Sequence, residues 1–408
     1  MTFSTSYGSK ILIPMDASQT DHLKAYGIAF WVLERGQNVE WLLNYRGGSF
    51  LMDFNNEIVQ ECRIRDVKNE TISSGSETQI YADIEGGNMD VVILEKTPNI
   101  AVYTPPGKQP WDDAVTLALT YAEIEYDEVW DLDVLEGKLQ GYDWLHLHHE
   151  DFTGQYGKFY RNYRNAPWYQ QQKQEYESFA HNHGFMSVSQ EKKMVAKKIS
   201  EFVGNGGFLF AMCSATDAFD IALAAEGIDI VDRVYDGSPV DPQAQEKLNY
   251  SKSLAFDNYQ LYTDPMLYEY SDIDFPSSIR PVAPGAEADY FTLFEFSAKW
   301  DPVPTMLTQN HVGIVKGFMG QTTGYRRDKI KKHVIIMGDV PNGEQVKYIH
   351  GNAGKGTFTF LGGHDPEDYQ HFVGDPPTQL SLHRNSPGYR LILNNVLFPA
   401  AKKKDRKT

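Results

Sequence analysis

The run Phe208-Leu209-Phe210-Ala211-Met212 is apolar throughout, and it leads straight into Cys213 and then Ser214-Ala215-Thr216-Asp217. A short apolar stretch bounded by Gly206-Gly207 is the pattern of a strand buried on both faces, as in a sheet covered by helices on each side. Asp217 to Ala225 then carries a helical pattern. A buried strand that turns directly into a helix is half of a crossover unit, and such units build parallel sheets. Similar pieces recur. Ile100 to Tyr103 reads as a strand ending in Thr104-Pro105-Pro106-Gly107, and Asp112 to Ile124 as a helix. Asp127 to Leu132 is a strand, Val134 to Leu139 a short helix and Tyr142 to His148 a strand. Glu191 to Val203 is a helix, Lys332 to Met337 and Thr357 to Leu361 are late strands, and Tyr389 to Leu397 is a closing helix.

Ahead of these lies Ile11-Leu12-Ile13, a helix over His22 to Arg35 stopped by Gly36, and a strand over Val39 to Tyr45. This reads as a βαβ start. Asn69 to Glu77 is polar and reads as a loop. The expected organisation is a small N-terminal α/β domain over 9–97, closed by Thr97-Pro98-Asn99, and a larger domain over 98–400. Stretches rich in Tyr, Pro and polar residues, at about 151–184 and 232–325, read as insertions covering the rim of the sheet. Residues 401–408 read as a disordered basic tail. The expected fold class is α/β, a doubly wound and mainly parallel sheet, whose ligands sit at the carboxyl ends of strands.

The formal net charge of −17 argues against nucleic acid as a partner and against docking on anionic lipid. No stretch approaches the roughly 20 apolar residues of a membrane span. Met1 to Lys10 has no apolar core of a signal peptide, so a cytoplasmic location is expected, or a periplasmic one if a leader was trimmed. Cys62 and Cys213 are the only cysteines, a poor disulfide framework for 408 residues.

Three constellations could carry chemistry. At Cys213, Ala211 and Ala215 keep both flanks small, as a crowded nucleophile turn requires. The helix N-terminus behind the turn is expected to lower the thiol pKa, and backbone N–H groups, including that of Ser214, to face an oxyanion. Phe360-Leu361-Gly362-Gly363-His364-Asp365-Pro366-Glu367 ends a late strand in a histidine flanked by acids, and a thiol nucleophile needs a His base oriented by a carboxylate. In Trp144-Leu145-His146-Leu147-His148-His149-Glu150-Asp151, alternation puts Trp144, His146 and His148 on one face. His146, His148, His149 and Glu150 are expected to line a ligand pocket, and their chemistry also suits a divalent ion. The aromatic and Arg-rich stretch Tyr156 to Tyr169 reads as a lid. Gly351 to Gly356 resembles a phosphate loop but leads into a strand, so a hairpin turn is expected.

A strand–Cys–helix elbow followed far downstream by a strand ending in His resembles class I glutamine amidotransferase-like domains and their ThuA-like and intracellular-protease-like relatives. Lys10 to Asp16, Gln19 to Gly27, His146 to Gly154, the Cys213 elbow and Gly388 to Pro399 also resemble Bacteroidetes-type proteins labelled asparagine synthetase B-like. The resemblance implies Cys213 as thiolate nucleophile, His364 as base, Asp365 or Glu367 as the orienting acid, and Gly154 as an oxyanion-loop candidate. Ala stands on both sides of Cys213 where the family has Gly. The N-terminal Cys and pyrophosphate loop of true asparagine synthetases are absent. The expected function is a cysteine-dependent hydrolase or amidotransferase-like protein; the alternative is a non-catalytic relative that binds a small ligand or carbohydrate. No cofactor is expected, and the partner is a small molecule such as an amide or sugar.

Overall fold

The computed structural model describes residues 10–106, 113–274, 289–318, 320–368 and 374–402. The first sheet contains β1 (Lys10–Ile13), β2 (Val39–Leu43), β3 (Ser49–Asp53), β4 (Glu70–Ile72) and β5 (Asp90–Leu94), in the order β4-β1-β3-β2-β5. Every pairing in it is antiparallel. The expected βαβ start is therefore corrected. β1 and β2 do run in the same direction, joined by the His22–Glu34 helix, but β3 inserts between them. The first four strands with the His22–Glu34 and Asn56–Ile64 helices follow the order of the split β-α-β-β-α-β motif. The polar Asn69–Glu77 stretch is not a loop. It forms edge strand β4 and then starts the Ser74–Gly86 helix, which Ser73 caps by accepting from the N–H of Ser76.

The second sheet contains β6 (Ile100–Tyr103), β7 (Asp127–Val129), β8 (Trp144–Leu147), β9 (Phe208–Met212), β10 (Tyr290–Leu293), β11 (Ile314–Lys316), β12 (Tyr325–Arg326), β13 (Ile335–Asp339), β14 (Gln345–Ala353) and β15 (Gly356–Leu361). Its order is β11-β10-β13-β14-β15-β9-β8-β6-β7, with β12 on β14. The half β7-β6-β8-β9-β15 is parallel, as the crossover reading requires. The other half is antiparallel. The sheet is thus mixed. The 232–325 stretch is more than a rim cover, because it supplies β10 and β11 to the sheet edge. Gly354-Lys355 closes the β14–β15 hairpin, so the Gly351–Gly356 run is a turn, as expected.

Alternation along the parallel strands feeds two cores. Ile100, Val102, Trp144, Phe208, Phe210 and Met212 pack on one face; Ala101, Tyr103, Leu145, Leu147, Leu209 and Ala211 pack on the other. The first core also takes in Ile11, Ile13, Trp41 and Phe50 of the N-terminal sheet. The chain changes sheet between β5 and β6, where Thr97-Pro98-Asn99 suggested a boundary, but one hydrophobic core runs across it. The His22–Glu34 helix sits within that shared core, against the Ala114–Ala122 and Pro387–Leu397 helices. At Gly27 the backbone lies so close to the carbonyl of Ala122 that a Cβ would overlap it. Arg390 locks the same layer: fully buried, it donates to the carbonyls of Met15 and Gly47 and to the hydroxyl of Tyr26. Of the expected tail, Ala401 and Lys402 are pinned to β5 through an Ala401–Leu94 bridge and a bond from Lys402 N–H to the Ile93 carbonyl; 403–408 lie outside the described residues. Cys62 and Cys213 are both free and buried, so they form no disulfide. No described helix is long and apolar enough to cross a membrane.

Candidate functional site

The carboxyl ends of three adjacent parallel strands, β8, β9 and β15, converge on one place. Registers Leu147 to Ala211 and Met212 to Leu361 bring the residues just beyond these ends together. Cys213 follows β9 and caps the Ser214–Ala224 helix with φ 50° and ψ −138°. A non-glycine residue in that region is strained, and a strand-to-helix elbow is where such strain occurs. The strain is held in place because the N–H of Cys213 donates to the carbonyls of Leu361 and Gly363, both at 3.1 Å. Gly363 takes φ +79°, and a Cβ there would overlap the Phe318 carbonyl.

His364 stands beside the thiol. A Cβ placed on Gly320 would lie 2.7 Å from His364 Cδ2 and 2.9 Å from Cys213 Sγ. Sulfur and ring are therefore separated by no more than the sum of those two distances. The sulfur also meets the backbone N–H groups of Thr322, Ser214 and Gln321. The thiol pKa does not fall as expected. Burial at 1% exposure pushes it up to about 11, against those N–H groups, which pull it down. Among the described residues, Gly320, Gln321 and Thr322 cover it, and Thr322 ties them to the elbow helix by donating to Asp217 Oδ1 at 3.0 Å. Asp217 is wholly buried, and burial pushes its carboxyl up to about 7.

The two acids after His364 differ. Asp365 is buried and accepts from the Tyr389 hydroxyl at 2.9 Å and from Thr378 at 3.4 Å. Glu367 faces His383 Nδ1 at 3.2 Å. Gly154 packs its Cα against Ser189 at the start of the Val188–Gly204 helix and lines the cleft beside His149 and Glu150. Ser214 contributes its N–H to the sulfur while its hydroxyl donates to the His149 carbonyl at 3.0 Å.

The four histidines form a row. His146 and His148 rings are 5.7 Å apart, His148 and His149 4.6 Å, and His148 and His364 5.2 Å. Trp144 stacks on His146 at 5.9 Å, on the single strand face that alternation requires. Glu150 accepts from the N–H of His148 at 2.8 Å, and burial together with the charge of Asp113 pushes its carboxyl up to about 7. The sequence reading missed Asp113. It caps the Ala114–Ala122 helix by accepting from the N–H groups of Val115 and Thr116, and it reaches His146 Nε2 at 3.4 Å and His148 Nδ1 at 3.6 Å. An acid directly before an apolar helix, in the connection that follows β6, was the available signal.

Beside this row opens a small cleft with about 40 Å³ of interior space. Its walls include Trp130, Tyr156, Phe159 and Tyr176 with His149 and Glu150. Asp151 shapes its rim by accepting from the N–H groups of Thr153, Gln155 and Gly157. Lys192, at its floor, is fixed by Asp131 at 2.6 and 2.8 Å and by Tyr103 at 3.0 Å. Of the expected Tyr156–Tyr169 lid, Tyr156 and Phe159 line the cleft, and the Pro167–Asn182 helix that follows adds Gln172 and Tyr176.

No family model and no curated protein matches the chain. Among solved structures, it overlaps the Salmonella typhimurium cytoplasmic protein STM3548 at 9% identity over 75% of this chain and 100% of that one, with a TM-score of 0.35. The cytoplasmic protein STM1381 from Salmonella typhimurium LT2 overlaps at 12% identity over 74% and 100%, with a TM-score of 0.35. An exo-beta-1,4-mannosidase from Opitutaceae bacterium strain TAV5 overlaps at 11% identity over 71% of this chain and 35% of its own length, with a TM-score of 0.27. Overlaps this weak carry no inference, and the function must be argued from the site.

Proposed function

We propose that this chain is a cysteine-dependent hydrolase, amidotransferase-like in its chemistry, acting on a carboxamide or related acyl group from a doubly wound, class I glutamine amidotransferase-like frame. The observation that carries the reading is the strained Cys213 elbow with the His364 ring beside its sulfur at the ends of neighbouring parallel strands. Sγ attacks the carbonyl carbon, His364 takes the thiol proton and returns it to the leaving amine, and water then hydrolyses the thioester. Ser214, Gln321 and Thr322 offer N–H groups on this side of the elbow. Asp365, held by Tyr389 and Thr378, or Glu367, which faces His383, orients His364. With the thiol pushed up to about 11, the resting sulfur is protonated and gives its proton to His364 as it attacks. The test is turnover of a panel of amides and esters, glutamine included. Loss of activity in both Cys213→Ala and His364→Ala supports the reading; unchanged turnover in Cys213→Ala sinks it.

The burial of Cys213 favours a second reading, a non-catalytic binder of a small polyol or sugar. The aromatic walls and acids of the adjacent cleft suit a carbohydrate face and its hydroxyls. Saturable quenching of tryptophan fluorescence by sugars, with no turnover in the amide panel, would select it.

A further inference from the structure

We propose that Asp113, His146 and His148 form a binding site for a first-row divalent transition-metal ion, with Zn²⁺ its natural probe. The argument starts from donors and acceptors. His146 is wholly buried, and its Nδ1 lies 3.0 Å from the carbonyl oxygen of Phe210. A carbonyl only accepts, so Nδ1 carries the ring proton and Nε2 presents a lone pair. That lone pair has no hydrogen-bond partner and points at Asp113 Oδ2, itself an acceptor, 3.4 Å away. Two acceptors facing each other in a dry interior repel unless a cation stands between them.

The spacing fits an ion. Two donor atoms at about 2.0–2.1 Å from a tetrahedral Zn²⁺ stand about 3.3 Å apart. Asp113 Oδ2 lies 3.4 Å from His146 Nε2 and its Oδ1 3.6 Å from His148 Nδ1, and one ligand atom from each of the three residues falls within 4.8 Å of the others. Two imidazoles and a carboxylate are the donor set such ions take, and three protein ligands leave a position for water or substrate. The supporting contacts are those a metal histidine uses: the Nδ1–H to Phe210 fixes the ring. Asp113 is fixed as well, because its Oδ1 accepts from Val115 and Thr116 while Oδ2 turns to His146. Among the described residues, this is the one group of His, Cys, Asp and Glu with such convergence. The 18% exposure of the Asp113 side chain gives an ion a way in. The site does not depend on the thiol reading, since no step assigned to Cys213 enters the argument.

The competing occupant of the gap is a proton, which would make His146 an imidazolium paired with Asp113. Titration calorimetry of chelator-stripped protein with Zn²⁺ separates the two, together with metal analysis of protein purified without chelator. The expected result is one Zn²⁺ per chain, with affinity weakened at least tenfold by His146→Gln and by Asp113→Asn. Asp113→Asn keeps the helix-capping oxygen, so it remains informative if the buried His146 variant fails to fold. Absence of both bound metal and binding heat overturns the proposal in favour of the proton. Equal affinity in wild type and in folded Asp113→Asn and His148→Gln overturns it too, by placing the metal elsewhere.

Discussion

The replacement Asp217→Asn tests whether the elbow helix holds a neutral acid beneath the thiol. The carboxyl is fully buried, and its Oδ1 accepts from Thr322 at 3.0 Å. Burial raises its pKa from 3.8 to about 7, against the hydrogen bonds from Thr322 and the Ala218 backbone, which lower it. Between those two values the unfolded chain has released a proton that the folded chain keeps. Stability therefore falls as pH rises from about 4, and levels off above about 7. At about 1.36 kcal/mol per pKa unit the full loss is about 4 kcal/mol. About a third of it is already present at pH 5, and nearly all of it at pH 8. Asparagine does not titrate, so the variant's stability relative to wild type should climb by about 2–3 kcal/mol between pH 5 and pH 8. Guanidinium unfolding followed by tryptophan fluorescence at several pH values reads this directly. A difference that stays flat with pH would mean that Asp217 is ionised throughout, and would refute the reasoning. The same variant removes a negative charge that helps to hold the Cys213 thiol up, so iodoacetamide should alkylate Cys213 faster at alkaline pH in a Cys62→Ser background.

Three further outcomes are expected. Lys192→Met should destabilise by about 3–5 kcal/mol, because it leaves buried Asp131 without its cation, and Asp131→Leu combined with it should recover most of the loss in the same denaturation assay. Gly363→Ala should cost about 1–3 kcal/mol, since it must distort φ +79° and push the Phe318 carbonyl away; by shifting the cover over the sulfur it should also speed alkylation of Cys213. Asp220→Ala should cost about 1–3 kcal/mol for each amide left without an acceptor, as Leu254, Ala255 and Phe256 all donate to it at 2.7–2.9 Å; a loss under 1 kcal/mol would show that water replaces the carboxylate.

The parallel half of the large sheet was legible because its strands are short apolar runs that alternate with helices, and periodicity reports burial directly. The elbow was legible for the same reason: a strand, Cys213 and a helix are contiguous in sequence. The strand β14 was not, although it is almost wholly buried, because Gln345, Lys347, His350 and Asn352 mask its strand character and their partners lie on other elements. Lys347, for example, is neutralised by Asp289 at 3.2 Å. The split order of the N-terminal sheet was hidden because the βαβ pattern is the same whether the two strands touch or admit a third between them. The cover over the sulfur escaped notice since Gln321 and Thr322 act through backbone N–H groups, which no side-chain pattern encodes. Asp113 meets His146 only because β6 and β8 lie side by side, pairing Val102 with His146 across more than forty residues of chain.

The His22–Glu34 helix, buried between the N-terminal sheet and the Ala114–Ala122 and Pro387–Leu397 helices, has a consequence for how molecules reach the site. A two-lobed enzyme commonly admits its substrate by rotating one lobe about a hinge. Here such a rotation would tear open the shared core and break the anchors of Arg390 to Met15 and Gly47. A ligand reaching Cys213 would instead require short-range rearrangement of the 320–322 strip and the Pro167–Asn182 helix. A small molecule bound there would then displace a few backbone contacts around Gly320, while the frame behind them stays rigid.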